Sequence, residues 1–317
     1  MLRRMFPFAL VLMSSFCYAQ AWPNKPIKLI VNFPPGSAPD ILGRAAGRFL
    51  SEAIGQAVVV ENRAGAAGNI GVEATVRAAP DGYTLMYSPG STITMNPHLY
   101  KTNYQKDLVP VAAINFSALP LVVRADLPIH DVKELIAYGK ANPGKLSYGS
   151  SGSGSPLHIG AEVLLYESGV KAVHIPYKGS AQTTNALLAK EIDFAVDAGV
   201  AAPHVKAGKL RYLALASSRR SPNYPGLPTV MEAAGIALDV SVPGAIFAPP
   251  GTPSEIVERL NKEFGRVIQD ERFIEAIKVI NSAPPPVHLN PAELSESFKN
   301  YTESFGVTIR NAKISAD

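Results

Sequence analysis

The stretch from Ile27 to Leu50, IKLIVNFPPGSAPDILGRAAGRFL, constrains the fold more than any other part of the chain. Ile27, Leu29, Ile30, Val31 and Phe33 form a short apolar run, and Pro34, Pro35 and Gly36 end it. A helical spacing follows, placing Ile41, Leu42, Ala45, Ala46, Phe49 and Leu50 on one stripe and Asp40, Arg44, Arg48 and Glu52 elsewhere. The segment therefore reads as strand, tight loop and helix. Ser37 followed by Asp40 has capping-box spacing, and Pro39 falls in the first turn, where its missing N–H costs nothing. Unpaired amides and the positive end of the helix dipole suit such a place to a carboxylate or phosphate, although every strand-to-helix turn shares that geometry.

The alternation continues. Val58 to Val60 reads as a strand, Asn62 to Asn69 as a Gly/Ala-rich turn, Ile70 to Ala79 as a helix and Tyr83 to Tyr87 as a third strand. Right-handed crossovers make these strands parallel and bring the loops 33–39, 62–69 and 88–94 to one edge of the sheet. With the first strand central, its loop and that of the third strand flank a topological switch point, where ligands of open α/β sheets bind.

A second series begins after the apolar run ALPLVVR at Ala118 to Arg124, which reads as a passage between lobes. Asp131 to Ala141 is helical, Leu146 to Ser150 a strand, and the loop SSGSGSP leads into a helix with Ser155 as N-cap and Pro156 as first residue. Strands follow at Val173–Pro176, Ile192–Asp197 and Leu210–Ser217, with a helix at Ser180–Lys190. Four of the eight residues from Pro222 to Thr229 are Pro or Gly and read as irregular chain. A short helix at Val230–Ala234 precedes a second apolar passage, Ala245 to Ala248. Helices opening at Thr252-Pro253 and at Asn290-Pro291 have no strand partners and are expected to pack back on the first lobe, giving a discontinuous domain and two hinge strands.

The chain opens with Arg3 and Arg4, an apolar run from Met5 to Met13, and small residues at Ala19 and Ala21, the pattern of a cleaved secretory leader too short to span a bilayer. Cleavage after either alanine satisfies the small-x-small rule. The single cysteine, Cys17, lies in this leader behind the bulky Phe16, which argues against lipid attachment and leaves a cysteine-free mature chain suited to an oxidising compartment. A net charge of only +4, with two of the arginines in the leader, is no nucleic-acid footprint. The remaining chain suits two lobes of about 100–200 residues each.

Several chemistries are missing. The serine-rich loop contains no G-x-S-x-G, since Ser153 stands two residues after Ser151. Gly152 and Gly154 begin a dinucleotide-type pattern that Leu157 breaks. The six histidines, His98, His130, His158, His174, His204 and His288, show no zinc-site spacing, and no metal or cofactor is expected. His158, in the first turn behind the serine loop, either lines a cleft or packs locally.

These segments resemble, from Trp22 to the C-terminus, the Bug family of periplasmic solute-binding proteins that serve tripartite tricarboxylate transporters. The blocks KPIKLIVNFPPGSAPD, VVVENRAGAAGNIG, PDGYTL, PGKLSYGSSGSGS, HIPYKG, GKLRYLALASSRR, LPTVMEAAG and APPGTP carry the likeness. The resemblance implies a type II periplasmic binding fold closing over a small carboxylate, held by main-chain amides, hydroxyls and water rather than by an arginine clamp. It places ligand contacts on Phe33, Pro35, Gly36, Ser37 and Asp40; on Ser88, Gly90, Ser91 and Thr92; on Ser151, Gly152, Ser153, Ser155 and His158; and on the turn from Asp197 and Ala198 to Ala201. Ser37 and Ala67 replace glycines usual in the family, and SVPGAIFAP lacks a usual tryptophan.

The expected protein is an α/β, two-lobed binding protein with a central cleft: leader 1–21, first lobe 22–122 with 245–317, second lobe 123–244. It would be monomeric and periplasmic, with no catalysis of its own, handing a carboxylate to integral-membrane transporter subunits. A binding protein of an ATP-driven importer and a secreted hydrolase are the alternatives. Asp40 is the odd residue, a carboxylate in an anion loop. It either faces a ligand ammonium or hydroxyl, or serves as part of the helix cap.

Overall fold

Residues 22–101, 104–311 and 314–315 are described by the structure, a computed structural model. The leader and Cys17 lie outside the described residues. Strand β1 (Ile27–Val31) exposes only Lys28 near its start and is buried on both faces from Leu29 to Val31, which is why those residues are continuously apolar rather than alternating. Helix α1 (Ala38–Ile54) follows and stops at Gly55, whose φ of 68° makes the left-handed C-cap. Its Gly43 faces the sheet so closely that a Cβ there would overlap Val31, so α1 lies flat on the strands. Strand β2 (Val58–Asn62), helix α2 (Asn69–Val76), strand β3 (Thr84–Ser88) and the short helices α3 (Gly90–Thr94) and α4 (Asn96–Leu99) lead to β4 (Val109–Ser117). β1 pairs in parallel with both β2 and β3, so the first strand is interior and its loop lies beside that of the third, as the sequence pattern requires.

The chain crosses to the second sheet at Ala118–Leu119 and enters it as β5 (Pro120–Arg124), so the 122/123 boundary drawn from sequence falls inside a strand. Helix α5 (Val132–Ala141), strand β6 (Leu146–Ser150), helix α6 (Pro156–Ser168), strand β7 (Ala172–Pro176), helix α7 (Ser180–Leu188), strand β8 (Phe194–Val196), helix α8 (Ala202–Lys206), strand β9 (Leu210–Leu215) and helix α9 (Val230–Ala234) complete this half. The sheet order is β7-β6-β8-β5-β9, with β6 parallel to β7 and β8 and with β5 antiparallel to both its neighbours.

On its return the chain forms β10 (Gly244–Ala248), buried throughout, then α10 (Ser254–Val267), α11 (Glu271–Lys278), β11 (Ser282–Ala283) and α12 (Pro291–Asn311). The Ala245–Ala248 run is thus a sheet strand, inserted antiparallel between β3 and β4. The first sheet reads β2-β1-β3-β10-β4-β11, with β11 also antiparallel to β4, and each sheet sets beside its third parallel strand an antiparallel strand supplied after a crossing from the other half. Ile256, Leu260 and Phe264 of α10 pack into the first-lobe core, joined by Phe273 of α11, a helix the sequence pattern does not mark. Helix α12 departs from expectation. Its Leu294 and Phe298 join a first-lobe cluster, but Phe305 and Ile309 are buried with Leu157, Leu164 and Val240 of the second half, because a helix of 21 residues outreaches one lobe. Among the described residues no helix is long and apolar enough to cross a membrane.

Candidate functional site

The first strand-to-helix loop is built on Asp40. Ser37, extended at φ −73° and ψ 161°, accepts the Asp40 N–H at 3.4 Å as N-cap and donates its hydroxyl to Pro34 O at 2.6 Å. The Asp40 carboxylate accepts the Gly36 N–H at 2.9 Å and the Asn62 side-chain amide at 2.7 Å, and Arg44 Nε lies 3.0 Å from both its oxygens. Burial works to raise this carboxyl, but hydrogen bonds from Arg44, Asn62 and Gly36 together with the Arg44 charge outweigh it and hold Asp40 below its usual range. Asn62 also donates to Phe33 O at 3.0 Å, tying the loop to β2. Both oxygens of Asp40, which is 4 % exposed, are engaged by its own loop and helix and by Asn62 of β2, so geometry favours the cap over the ligand contact. Pro35 and Gly36 are exposed at the loop tip.

The loop after β3 is arranged around buried hydroxyls. Ser88 accepts from Asn32 Nδ2 at 2.9 Å and donates to Pro89 O at 3.0 Å, and Thr92 is buried. A Cβ at Gly90 would strike Pro243 O and Val242, so only glycine lets α3 begin against the returning segment. Pro89 and Ser91 are the members of this loop that border the space between the lobes.

In the second half, Ser155 caps α6 by accepting the His158 N–H at 3.3 Å. His158 turns under the loop rather than into a cleft. Its Nδ1 accepts the Gly154 N–H at 3.0 Å, its ring stacks on His174 at 3.9 Å between centroids, and it is 7 % exposed. Tyr148 lies below this stack and donates to Glu162. Ser150 Oγ sits 2.7 Å from His174 Nε2 and is fully buried. Ser151, Gly152 and Ser153 form the half-buried crest, with Gly152 at a φ of 121° that disfavours any side chain. Asp197 holds the last loop by accepting the Gly199 N–H at 2.9 Å, the Ala201 N–H at 3.1 Å and the Tyr212 hydroxyl at 2.9 Å. Burial raises its carboxyl above the usual range, with these donors opposing the shift.

Between the lobes lies a cavity of about 150 Å³. Ala38, Pro39 and Leu42 bring the start of α1 to it, Pro156 the start of α6, and Ser91 the start of α3. Ala198 closes it from the second half, and Leu119 and Val240 to Val242 line it from the two passages between lobes. Its floor is polar but internally bonded. Tyr87 donates to Asn115 Oδ1 at 2.8 Å, and Asn115 Nδ2 donates to Ser282 at 2.9 Å and Ser117 at 3.3 Å. A side chain at Gly244 would fall on Asn115 Oδ1 and 2.5 Å from the Tyr87 hydroxyl, so this floor requires glycine there. Of the residues singled out in the sequence, Ser91 and Ala198 line the cavity. Asp40, Ser88, Thr92, His158 and Asp197 are buried and instead shape the loops from behind, and half-buried Phe33 does not line it. Tyr87, Asn115, Ser117, Leu119, Val240 and Ile280 line it without a local sequence signal. A roomier groove of about 390 Å³, bounded by Ile93, Leu108, Phe298 and Lys299, lies on the first-lobe flank and is lined by none of these loops.

Two α/β sheets of matching strand order, two passages between them, and a cavity on which strand-to-helix loops from both halves converge define a two-lobed solute-binding protein of the periplasmic type. The tripartite tricarboxylate transporter family receptor pattern, TctC, matches residues 42–285, and the chain belongs to that family. It is 36% identical over 273 residues to Protein BugT of Bordetella pertussis, covering 84% of this chain and 83% of that one. Among solved structures it is similar to an R. palustris protein solved with adipate, at a TM-score of 0.80 and 30% identity over 92% of this chain and 99% of that one. It is also similar to MatC from Rhodopseudomonas palustris with bound malate, at a TM-score of 0.76 and 25% identity over 91% and 100% of the two chains. The Bug-type resemblance and the two-lobed α/β fold read from the sequence are borne out.

Proposed function

We propose that the protein is exported by its cleaved leader to the periplasm, binds a small carboxylate between its lobes and delivers it to a tripartite tricarboxylate-type membrane transporter, acting by capture rather than catalysis. The observation that carries this reading is the convergence of Pro39, Ser91 and Pro156, each at the start of a helix, on one interlobe cavity. Amides and hydroxyls there supply donors in a place that closure dries, which strengthens each hydrogen bond. Ser37 and Ser155 hold the helix starts, while Gly36, Gly90, Gly152, Ser151 and Ser153 provide the approach. The relatives solved with adipate and malate support a carboxylate as the ligand class. Hydrolysis is disfavoured by the complete burial of Ser150, the hydroxyl beside His174.

Thermal-shift screening of mono-, di- and tricarboxylates tests the reading. A ligand at a hundred times its Kd stabilises by about 2.7 kcal/mol, and lobe closure should contract the particle in solution scattering. A bound carboxylate that leaves the scattering profile unchanged would remove the closure mechanism.

A further inference from the structure

The segment that follows α11 sets three consecutive residues to different tasks. Ile280 lines the interlobe cavity. Ser282 accepts from Asn115 of the cavity floor through its hydroxyl, and through its carbonyl from Asn223 Nδ2 of the second half at 3.3 Å. Between them Asn281 reaches across to the second half. Its Nδ2 donates at 3.0 Å to Gly199 O, in the turn after β8 whose Ala198 closes the cavity. The backbone of Asn281 has a φ of 54°, a left-handed conformation that asparagine accepts more readily than most side chains, and its N–H is fixed by Lys278 O at 2.9 Å.

The receiving turn is shaped for this contact. Gly199 is buried at a φ of 94°, and a Cβ there would fall 2.5 Å from Asn281 Nδ2. Asp197 stiffens the turn by accepting the Gly199 and Ala201 N–H groups. A fixed acceptor in one half therefore meets a donor on a fixed backbone in the other. The strand entered from Asn281, β11, pairs with β4 of the first sheet, whereas β8 belongs to the second. Motion of the halves about the two passages changes the separation of these segments, and a displacement of about 1 Å takes a hydrogen bond of ordinary length out of range. The bond thus forms when the halves approach and is lost when they part.

We propose that Asn281 is a positioning residue for ligand capture: it fastens the 197–201 turn to the first half, keeps Ala198 and Ile280 together on the cavity wall and raises the population of the closed cleft. This rests on the reading of that cavity as the carboxylate site. Apparent affinity scales with the fraction of protein already competent to bind, so the residue contributes without touching the ligand.

Asn281→Gly and Asn281→Asp test this in the leader-free protein, which has no cysteine, by calorimetry with adipate and malate and by distances between spin labels at Val59→Cys and Val173→Cys, exposed positions on the outer strands of the two sheets. Glycine suits the left-handed backbone and removes the bond alone, so the melting temperature should hold while whichever acid the wild type binds is held ~5–10-fold more weakly, the worth of one net hydrogen bond. Aspartate sets an acceptor against Gly199 O and should weaken binding further. In both variants the label distances should spread beyond the wild-type range. Distances unchanged in both variants, with and without the acids, overturn the proposal, and the carboxylate site stands if the wild type binds either acid. Spread distances with unchanged affinity show a tie that is only structural and overturn the positioning role. Spread distances in a protein whose wild type binds neither acid keep the fastening and overturn the carboxylate reading on which capture rests.

Discussion

Replacing Asp40 by alanine isolates what the first loop is built on. The Gly36 N–H would lose its acceptor, Asn62 Nδ2 would keep only Phe33 O, and Arg44 would keep its 3.0 Å contact with Asn62 Oδ1 while its half-exposed guanidinium rehydrates. A lost cap-type bond is worth about 1 kcal/mol, the bond from Asn62 to a buried carboxylate about 1–2 kcal/mol, and the Arg44 pair little after solvent screening. The expected loss of apo stability is therefore about 2–3 kcal/mol, or roughly 5–10 °C in Tm for a cooperative unit of lobe size. The acid limb supplies a second readout. Because the folded-state pKa of Asp40 is depressed, its stabilisation is present above the unfolded carboxyl value of about 3.9 and is lost as pH falls through the lower folded value. The wild-type advantage over Asp40→Ala should thus be full near neutrality and shrink below about pH 4. Urea denaturation across pH 3–7, with ligand ranking measured in parallel, checks both. A variant that melts with the wild type but reorders which carboxylates bind would refute the cap and restore Asp40 as a ligand contact.

Gly244→Ala forces a methyl onto Asn115 and Tyr87 at the cavity floor and should cost about 1–3 kcal/mol by overpacking, read by thermal melting; an unchanged melting temperature would mean the floor yields. His158→Ala removes the acceptor of the Gly154 N–H and the ring stacked on His174, and should lower stability by about 2–4 kcal/mol, with a loss of ligand affinity as the serine loop loosens. Intact affinity in that variant would show the loop holds its shape without the ring.

The sequence alone determined the parts of this protein governed by local physics. Apolar runs and breaker residues located β1, β3 and β6, and cap spacing marked Ser37, Ser155 and the starts of their helices, because strand burial, φ restriction and capping act within a few residues. The right-handed crossover then placed the loops on a common edge. Tertiary structure decided the rest. Ala245–Ala248 reads as a passage because nothing local shows that Ser88 and Asn115, far away in sequence, flank it in a sheet. Asp40 and His158 carry functional residue types, yet Asn62 across the β1–β2 pair and His174 on β7 turn them into supports. Tyr87, Asn115, Leu119 and Ile280 gained their place at the cavity only when two sheets and a return segment met. A pocket between lobes is made by chain segments that share no sequence neighbourhood, and its lining follows from how the lobes pack rather than from any periodicity within them.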